Sequence, residues 1–251
     1  MVTCGSTEQL ESQLVKRILH INYKPAVFWA RPLLVALSSN ASLKTKYAEW
    51  SRLPISLLTF SIETRLGSLR EIIKQVDQNL SILGQELKGQ KNIDKYYIEG
   101  GAVYTFKNET AVRQTLIGTN CFVFECRSCF ENLASFYREF SRHYFSEDIS
   151  KSAAYEKVAS LTQESTWADD LRNLRHDIIH DQAPWLAFLV RNNPPPKYEP
   201  LLVFNLTAQQ LADNDYVPFE NLRRVADGLA EAVQALGQTL AIRVQSTRGS
   251  E

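Results

Sequence analysis

After Pro54, apolar residues recur every three or four positions through Leu58, Ile62, Leu66, Leu69, Ile73, Val76, Leu80 and Leu83. A second run, from about Thr110 to Phe145, carries Leu116, Cys121, Phe124, Leu133, Phe136, Phe140 and Tyr144 at mostly three- to five-residue intervals. At 3.6 residues per turn, such spacing keeps the apolar side chains on one stripe of a helix. Each run therefore predicts one long amphipathic helix, with the aromatics of the second in the core. Stripes of this length need apolar partners, which makes the chain mainly α.

The remaining segments fit around these two. Leu10, Leu14, Ile18 and Ile21 predict a short helix over 7–21, ended by Pro25, and FWARPLLVALSSNASLKTKY reads as mixed helix and turn. YYIEGGAVYTF places β-favouring residues around Gly100 and Gly101 and predicts a hairpin between the long helices. WLAFLV and LLVFNL flank NNPPPKYEP, predicting two extended segments joined by a proline-rich turn, and a last helix is expected over about 218–244. The expected organisation is an N-terminal helical extension over 1–53, a helical-bundle domain over 54–245 with a β insert near 185–206, and a flexible tail over 246–251.

With 28 Lys and Arg against 28 Asp and Glu, net charge advertises neither nucleic acid nor membrane, so any phosphate-binding surface must arise by local clustering. The opening MVTCGSTEQLESQLVKRIL lacks a basic stretch leading into an apolar core, and no run approaches the roughly 20 apolar residues of a membrane span. A cytoplasmic protein with no membrane partner is expected. On that reading, the N-x-[ST] triplets at Asn40, Asn79, Asn108 and Asn205 are chance matches, and Cys4, Cys121, Cys126 and Cys129 are reduced thiols.

The densest chemistry lies in RNLRHDIIHDQ, residues 172–182. Thr166 and Asp169 have the form of a capping box, and Pro184 blocks continuation, so the motif sits near a helix C-terminus. Trp167, Leu171, Leu174 and Ile178 form one stripe of that helix; Arg172, His176 and His180 form another, with Asp169 and Asn173 beside it. A solvated face held by local pairs such as Asp169 with Arg172 would use the same residue types. Two of the four histidines in the chain, set among arginines, point instead to anionic chemistry: guanidinium binds phosphate through parallel donors, and imidazole exchanges protons near neutral pH.

Arg175-His176-Asp177-Ile178-Ile179-His180 resembles the R-[polar]-x-x-x-H signature of the HEPN superfamily, the nucleotide-binding helical domains of higher eukaryotes and prokaryotes. The likeness covers about residues 54–243. It implies a helical bundle with two long central helices and a metal-independent endoribonuclease without cofactor, its site commonly formed across a homodimer. Arg175 would then hold the scissile phosphate, and His180 would act as general base or acid while the ribose 2′-hydroxyl attacks. His176 would orient the pair, leaving a 2′,3′-cyclic phosphate. Arg172 and Asn173 would contact RNA, and an antitoxin or a partner in antiviral defence or stress would fit the family. A five-residue step separates Arg175 from His180 by about 140° on a straight helix. Either the helix loosens before His180, or the arginine reaches round, or the two meet across a symmetric interface.

Other readings compete. His176-Asp177-Ile178-Ile179-His180 spells H-D-x-x-H, near the zinc motif H-E-x-x-H, but its third ligand is missing, since His143 and His20 lie elsewhere. Cys121, Cys126 and Cys129 match an iron–sulfur spacing on a helix without glycine, where core thiols explain them better. Glu125 and Arg127 interrupt an apolar helix, and either would support the motif helix from behind. Arg138, Arg142 and His143 form a basic, aromatic-flanked cluster suited to RNA phosphates. A non-catalytic dimerisation or RNA-binding module of the same fold is the main alternative function.

Overall fold

The computed structural model describes residues 26–90, 97–98, 101–102, 104–162, 166–180, 184–191, 197–204 and 215–247, with backbone alone at 97–98, 101–102 and 179–180. The expected helix over 7–21, Cys4, Asn205 and the end of the tail lie outside these residues.

The described chain is mainly helical with a small antiparallel sheet. The two periodic runs form α3 (Pro54–Lys88) and α4 (Glu109–Phe145), 35 and 37 residues long. Among the described residues, two short α-helices, α1 (Arg31–Ser39) and α2 (Lys44–Ala48), and a 3-10 turn at Trp50–Arg52 precede them. After α4 come α5 (Lys151–Ala159), the motif helix α6 (Thr166–His180) and α7 (Phe219–Ser246).

Between α3 and α4, β1 (Tyr97–Ile98) pairs antiparallel with β2 (Gly101–Ala102), the hairpin expected from the paired glycines. After α6, β3 (Trp185–Arg191) and β4 (Lys197–Val203) pair antiparallel from Trp185↔Val203 to Arg191↔Lys197, on either side of the expected proline-rich turn, whose residues 192–196 lie outside the described ones. A third strand, β5 (Tyr216–Pro218), escaped the sequence reading; it pairs with the end of β4 and runs directly into α7.

α3 and α4 lie antiparallel: Ser61 meets Asn132 (2.8 Å), Arg65 meets Glu125 (2.7 Å), and Val76 meets Gly118, so numbers rise on one helix as they fall on the other. A Cβ at Gly118 would stand 2.7 Å from Val76 Cγ2, so glycine permits this close approach. All eight apolar positions expected on α3 are buried or packed against the core.

On α4 the stripe differs from expectation. Phe122, Cys126, Cys129, Leu133, Phe136 and Phe140 step by four and three and are buried, whereas Phe124 is 66% exposed and Cys121 is exposed. Two apolar series interleave in this helix, and the one facing α3 is the core; position 124 lies about 160° round from 122.

Residues 26–53, expected as an extension, belong to the same core. Trp29, Leu33 and Leu37 are buried with Leu229, Leu236 and Leu240 of α7, and a Cβ at Gly237 would come within 2.5 Å of the Trp29 carbonyl oxygen. Asn40, fully buried at the end of α1, ties the two segments. Its Nδ2 donates to the Val244 carbonyl (2.7 Å), and its Oδ1 accepts from the Ser42 and Leu43 amides (3.1 and 3.3 Å). Two N-x-[ST] triplets thus have structural uses: Asn40 bridges helices, and the Asn108 side chain caps α4 by accepting from the Ala111 amide at 3.0 Å; Asn79 is buried.

Candidate functional site

α6 is fixed by its apolar stripe: Trp167, Leu171 and Leu174 are buried and Ile178 packs against the core, as the periodicity predicts. Trp167 also donates from its indole nitrogen to Thr162 Oγ1 at 3.0 Å. The helix ends at His180, and Pro184 precedes β3. Its polar side is left outward, and neighbouring elements raise walls on both flanks.

The first cleft lies between α4, α5 and α6 and measures about 410 Å³. Arg127, Tyr155, Arg172 and Arg175 line it over a floor that includes Phe130, Ala168 and Leu171. The second, about 450 Å³, lies between α6, β5 and the first turn of α7; Asp170, Asn173, His176, Asp177, Tyr216 and Asn221 line it. Arg172 borders both clefts. The helical step explains the division, because Arg175 and His176 are separated by about 100° around the axis.

The charges in the two clefts differ in how they are held. Arg172 pairs with Asp169 at 2.9 Å, with both side chains mostly exposed. In the second cleft, Asp170 accepts from Arg224 of α7 at 3.0 Å. Arg127 donates from Nε to Glu131 at 2.8 Å while its guanidinium lies 5.2 Å from the Tyr155 ring centroid. Arg175 is exposed, and among the described residues it makes no hydrogen bond or ion pair. Exposed pairs contribute roughly 0–1 kcal/mol, so an anion can exchange Arg172 from its carboxylate at little cost, and Arg175 needs no exchange at all. Burial first, then the Glu131 carboxylate, push the Tyr155 phenol upward against the opposing Arg127, so it stays neutral and keeps its proton.

The structure brings Arg172, Asn173, Arg175 and His176 to one surface; the His180 side chain lies outside the described residues, and Glu125, Arg138, Arg142 and His143 lie elsewhere. Glu125 pairs with Arg65 on the α3 side; Arg127, about 200° round α4, is the residue that reaches the cleft. The basic cluster at the end of α4 stands apart, with Arg142 about 22 Å beyond Arg127 along the axis at 1.5 Å per residue. There Arg138 donates to the Ile149 carbonyl (3.1 Å), and Arg142 pairs with Glu139 (3.0 Å) and Asp148 (3.3 Å). His143 Nε2 is buried without a hydrogen bond, its ring edge-on to Tyr144. Arg138 and Arg142 thus fasten the end of α4 to the following turn, and only Arg142 does so through carboxylates.

Burial raises Cys126 well above the ordinary thiol range and Cys129 to about 12, so both are protonated core thiols. Among the described residues, no three histidines, cysteines or carboxylates converge on a metal-sized space. No helix among them is long and apolar enough to cross a membrane.

The sequence reading missed Tyr155, Tyr216 and Asn221 as lining residues. Tyr155 sits in AAYEKVA without any motif, and the other two arrive from strand β5 and helix α7, more than 30 positions beyond the motif. Only Arg127, a charge in an apolar helix, carried a linear signal. No family model, curated protein or solved structure matches the chain.

Proposed function

We propose that this chain is a metal-independent endoribonuclease of HEPN type that works as a cytoplasmic homodimer. The observation that carries the reading is Arg175: five residues before His180 on α6, exposed in a cleft, and unneutralised among the described residues while Arg127 and Arg172 beside it hold carboxylates. A guanidinium in that condition is prepared for a phosphate and for the charge that grows on it during displacement.

In this mechanism Arg175 holds the scissile phosphodiester and His180 takes the proton from the attacking 2′-hydroxyl or returns one to the leaving 5′-oxygen. His176 orients the strand, with Arg172 and Asn173 as further contacts. The products are a 2′,3′-cyclic phosphate and a 5′-hydroxyl. Positions 175 and 180 lie about 140° apart around α6, so the reading places Arg175 of one protomer against His180 of another. The exposed Ile117, Cys121 and Phe124, which share one face of α4 within about 60°, support a second copy packing beside the Arg175 cleft. A toxin, antiviral or stress role, with an antitoxin or defence partner holding the activity in check, fits this chemistry.

The experiment is incubation of the purified chain with single-stranded RNA in EDTA, followed by end-group analysis. Wild type is expected to leave cyclic phosphates and Arg175→Ala and His180→Ala to leave none; undiminished cleavage by His180→Ala overturns the mechanism. A second reading, a non-catalytic module of the same fold, is favoured by the separation of Arg175 and His176 into different clefts of one chain. It predicts RNA binding without cleavage.

A further inference from the structure

The cleft beside Arg175 holds a feature that phosphate binding does not require. Arg127 is clamped: the Tyr155 ring lies under its guanidinium at 5.2 Å, and Glu131 holds Nε at 2.8 Å. Guanidinium N–H bonds lie in the plane of the group, so a carboxylate at Nε grips its edge and leaves the faces free for stacking. Tyr155 is itself fixed, with Phe130 edge-on at 5.0 Å and Lys151 5.8 Å from the same ring. Arg127 lines the cleft with about a third of its side chain exposed.

We propose that Arg127, supported by Tyr155, is a stacking platform for one unpaired nucleobase, whose phosphate is held by Arg175 and Arg172 in the same cleft. The volume of about 410 Å³ and the small apolar floor of Ala159, Ala168 and Leu171 suit a flat ring joined to an anion. A base inside a duplex has both faces occupied by its neighbours, so a platform of this kind selects single strands. The charges agree: Arg127 and Arg172 hold Glu131 and Asp169 in pairs that are partly or largely exposed, while Arg175, in the same cleft, makes no ion pair among the described residues.

The proposal rests on the RNase reading only for the source of the nucleotide, since a free mononucleotide presents the same base and phosphate. The test titrates AMP and ribose 5-phosphate into the full chain by calorimetry. AMP is expected to bind roughly tenfold more tightly, the scale of one stacked base. Arg127→Lys, which keeps the charge and loses the plane, should abolish that difference, while Tyr155→Phe should retain it. Arg175→Ala should weaken both ligands together. Equal binding of AMP and ribose 5-phosphate by wild type, or a base preference that survives Arg127→Lys in a folded protein, overturns the platform.

Competition separates the sources. Displacement of AMP by a single-stranded RNA hexamer, and not by a duplex of the same sequence, supports the strand; failure of the hexamer to compete overturns the strand assignment and identifies a free nucleotide as ligand. Base-dependent binding without any cleavage in EDTA would overturn the RNase reading and leave the platform standing.

Discussion

Gly228→Ala is expected to damage the packing that positions the motif helix. A Cβ at Gly228 of α7 would stand 2.5 Å from Trp167 Cγ and 2.7 Å from its Cβ and Cδ1. Trp167 cannot swing aside: it is 1% exposed, its indole nitrogen is held by Thr162, and Phe130 lies edge-on at 5.2 Å. Restoring an ordinary contact of about 3.5 Å requires α6 and α7 to part by roughly 1 Å. Overpacking of this kind costs about 1–3 kcal/mol, offset by up to about 1 kcal/mol because alanine is the better helix former. The net expectation is a loss of up to about 2 kcal/mol.

Gly67 and Gly84 of α3 supply the control, because a Cβ at either meets no packing partner within 4 Å among the described residues. Alanine there should gain up to about 1 kcal/mol. Urea unfolding of the three variants at 25 °C reads the difference. A Gly228→Ala protein as stable as Gly67→Ala would refute the argument that the α6–α7 approach is set by the absent side chain.

Asn40→Asp, nearly isosteric, sets a carboxylate oxygen against the Val244 carbonyl where an N–H now donates, and should cost about 2–4 kcal/mol in chemical denaturation. The Arg243 guanidinium holds the Glu147 carboxyl below its ordinary value, so the pair stabilises the fold above the unfolded carboxylate pKa and fades as acid takes the pH through the lower folded value. Glu147→Gln should therefore lower stability near pH 7 by at most about 1 kcal/mol and converge with wild type in strong acid, as followed by thermal unfolding across pH. A thiol reagent at pH 8 should modify the exposed Cys121 of the native protein but reach Cys126 and Cys129 only on unfolding, checked by mass spectrometry of the labelled peptides.

Legibility in the sequence followed the length of each pattern. The periodicity of α3 identified its core-facing side, with Ile62, Leu66, Leu69, Val76 and Leu83 buried and Leu58, Ile73 and Leu80 packed against the core, but an apolar pattern passes over the buried Thr59 and Asn79. On α4 two series run side by side, and nothing local decides between Cys121 with Phe124 and Phe122 with Cys126; the choice is made by α3, across a contact that needs Gly118. Strand β5 is only three residues long, too short for alternation to register, yet it lines the second cleft with Tyr216.

The motif helix was readable for a related reason. Its stripe of Trp167, Leu171 and Leu174 fixes which side is buried and therefore that Arg172, Asn173, Arg175 and His176 are outward. What the stripe does not encode is the company those side chains keep. Arg127 and Tyr155 reach Arg175 through the packing of α4 and α5 against α6, while Arg138 and Arg142, equally basic in the sequence, are absorbed by Ile149, Glu139 and Asp148.

Under the proposed function, Arg175 and His180 act together on RNA from two copies of the chain. The most direct test mixes Arg175→Ala and His180→Ala proteins, each inactive alone, after unfolding and refolding together, and measures cleavage of single-stranded RNA in EDTA. Half of randomly formed dimers are mixed and each carries one intact site, so about a quarter of wild-type activity is expected from twofold symmetry. A mixture as inactive as its components, beside an active wild type refolded in the same way, would contradict a site shared between protomers.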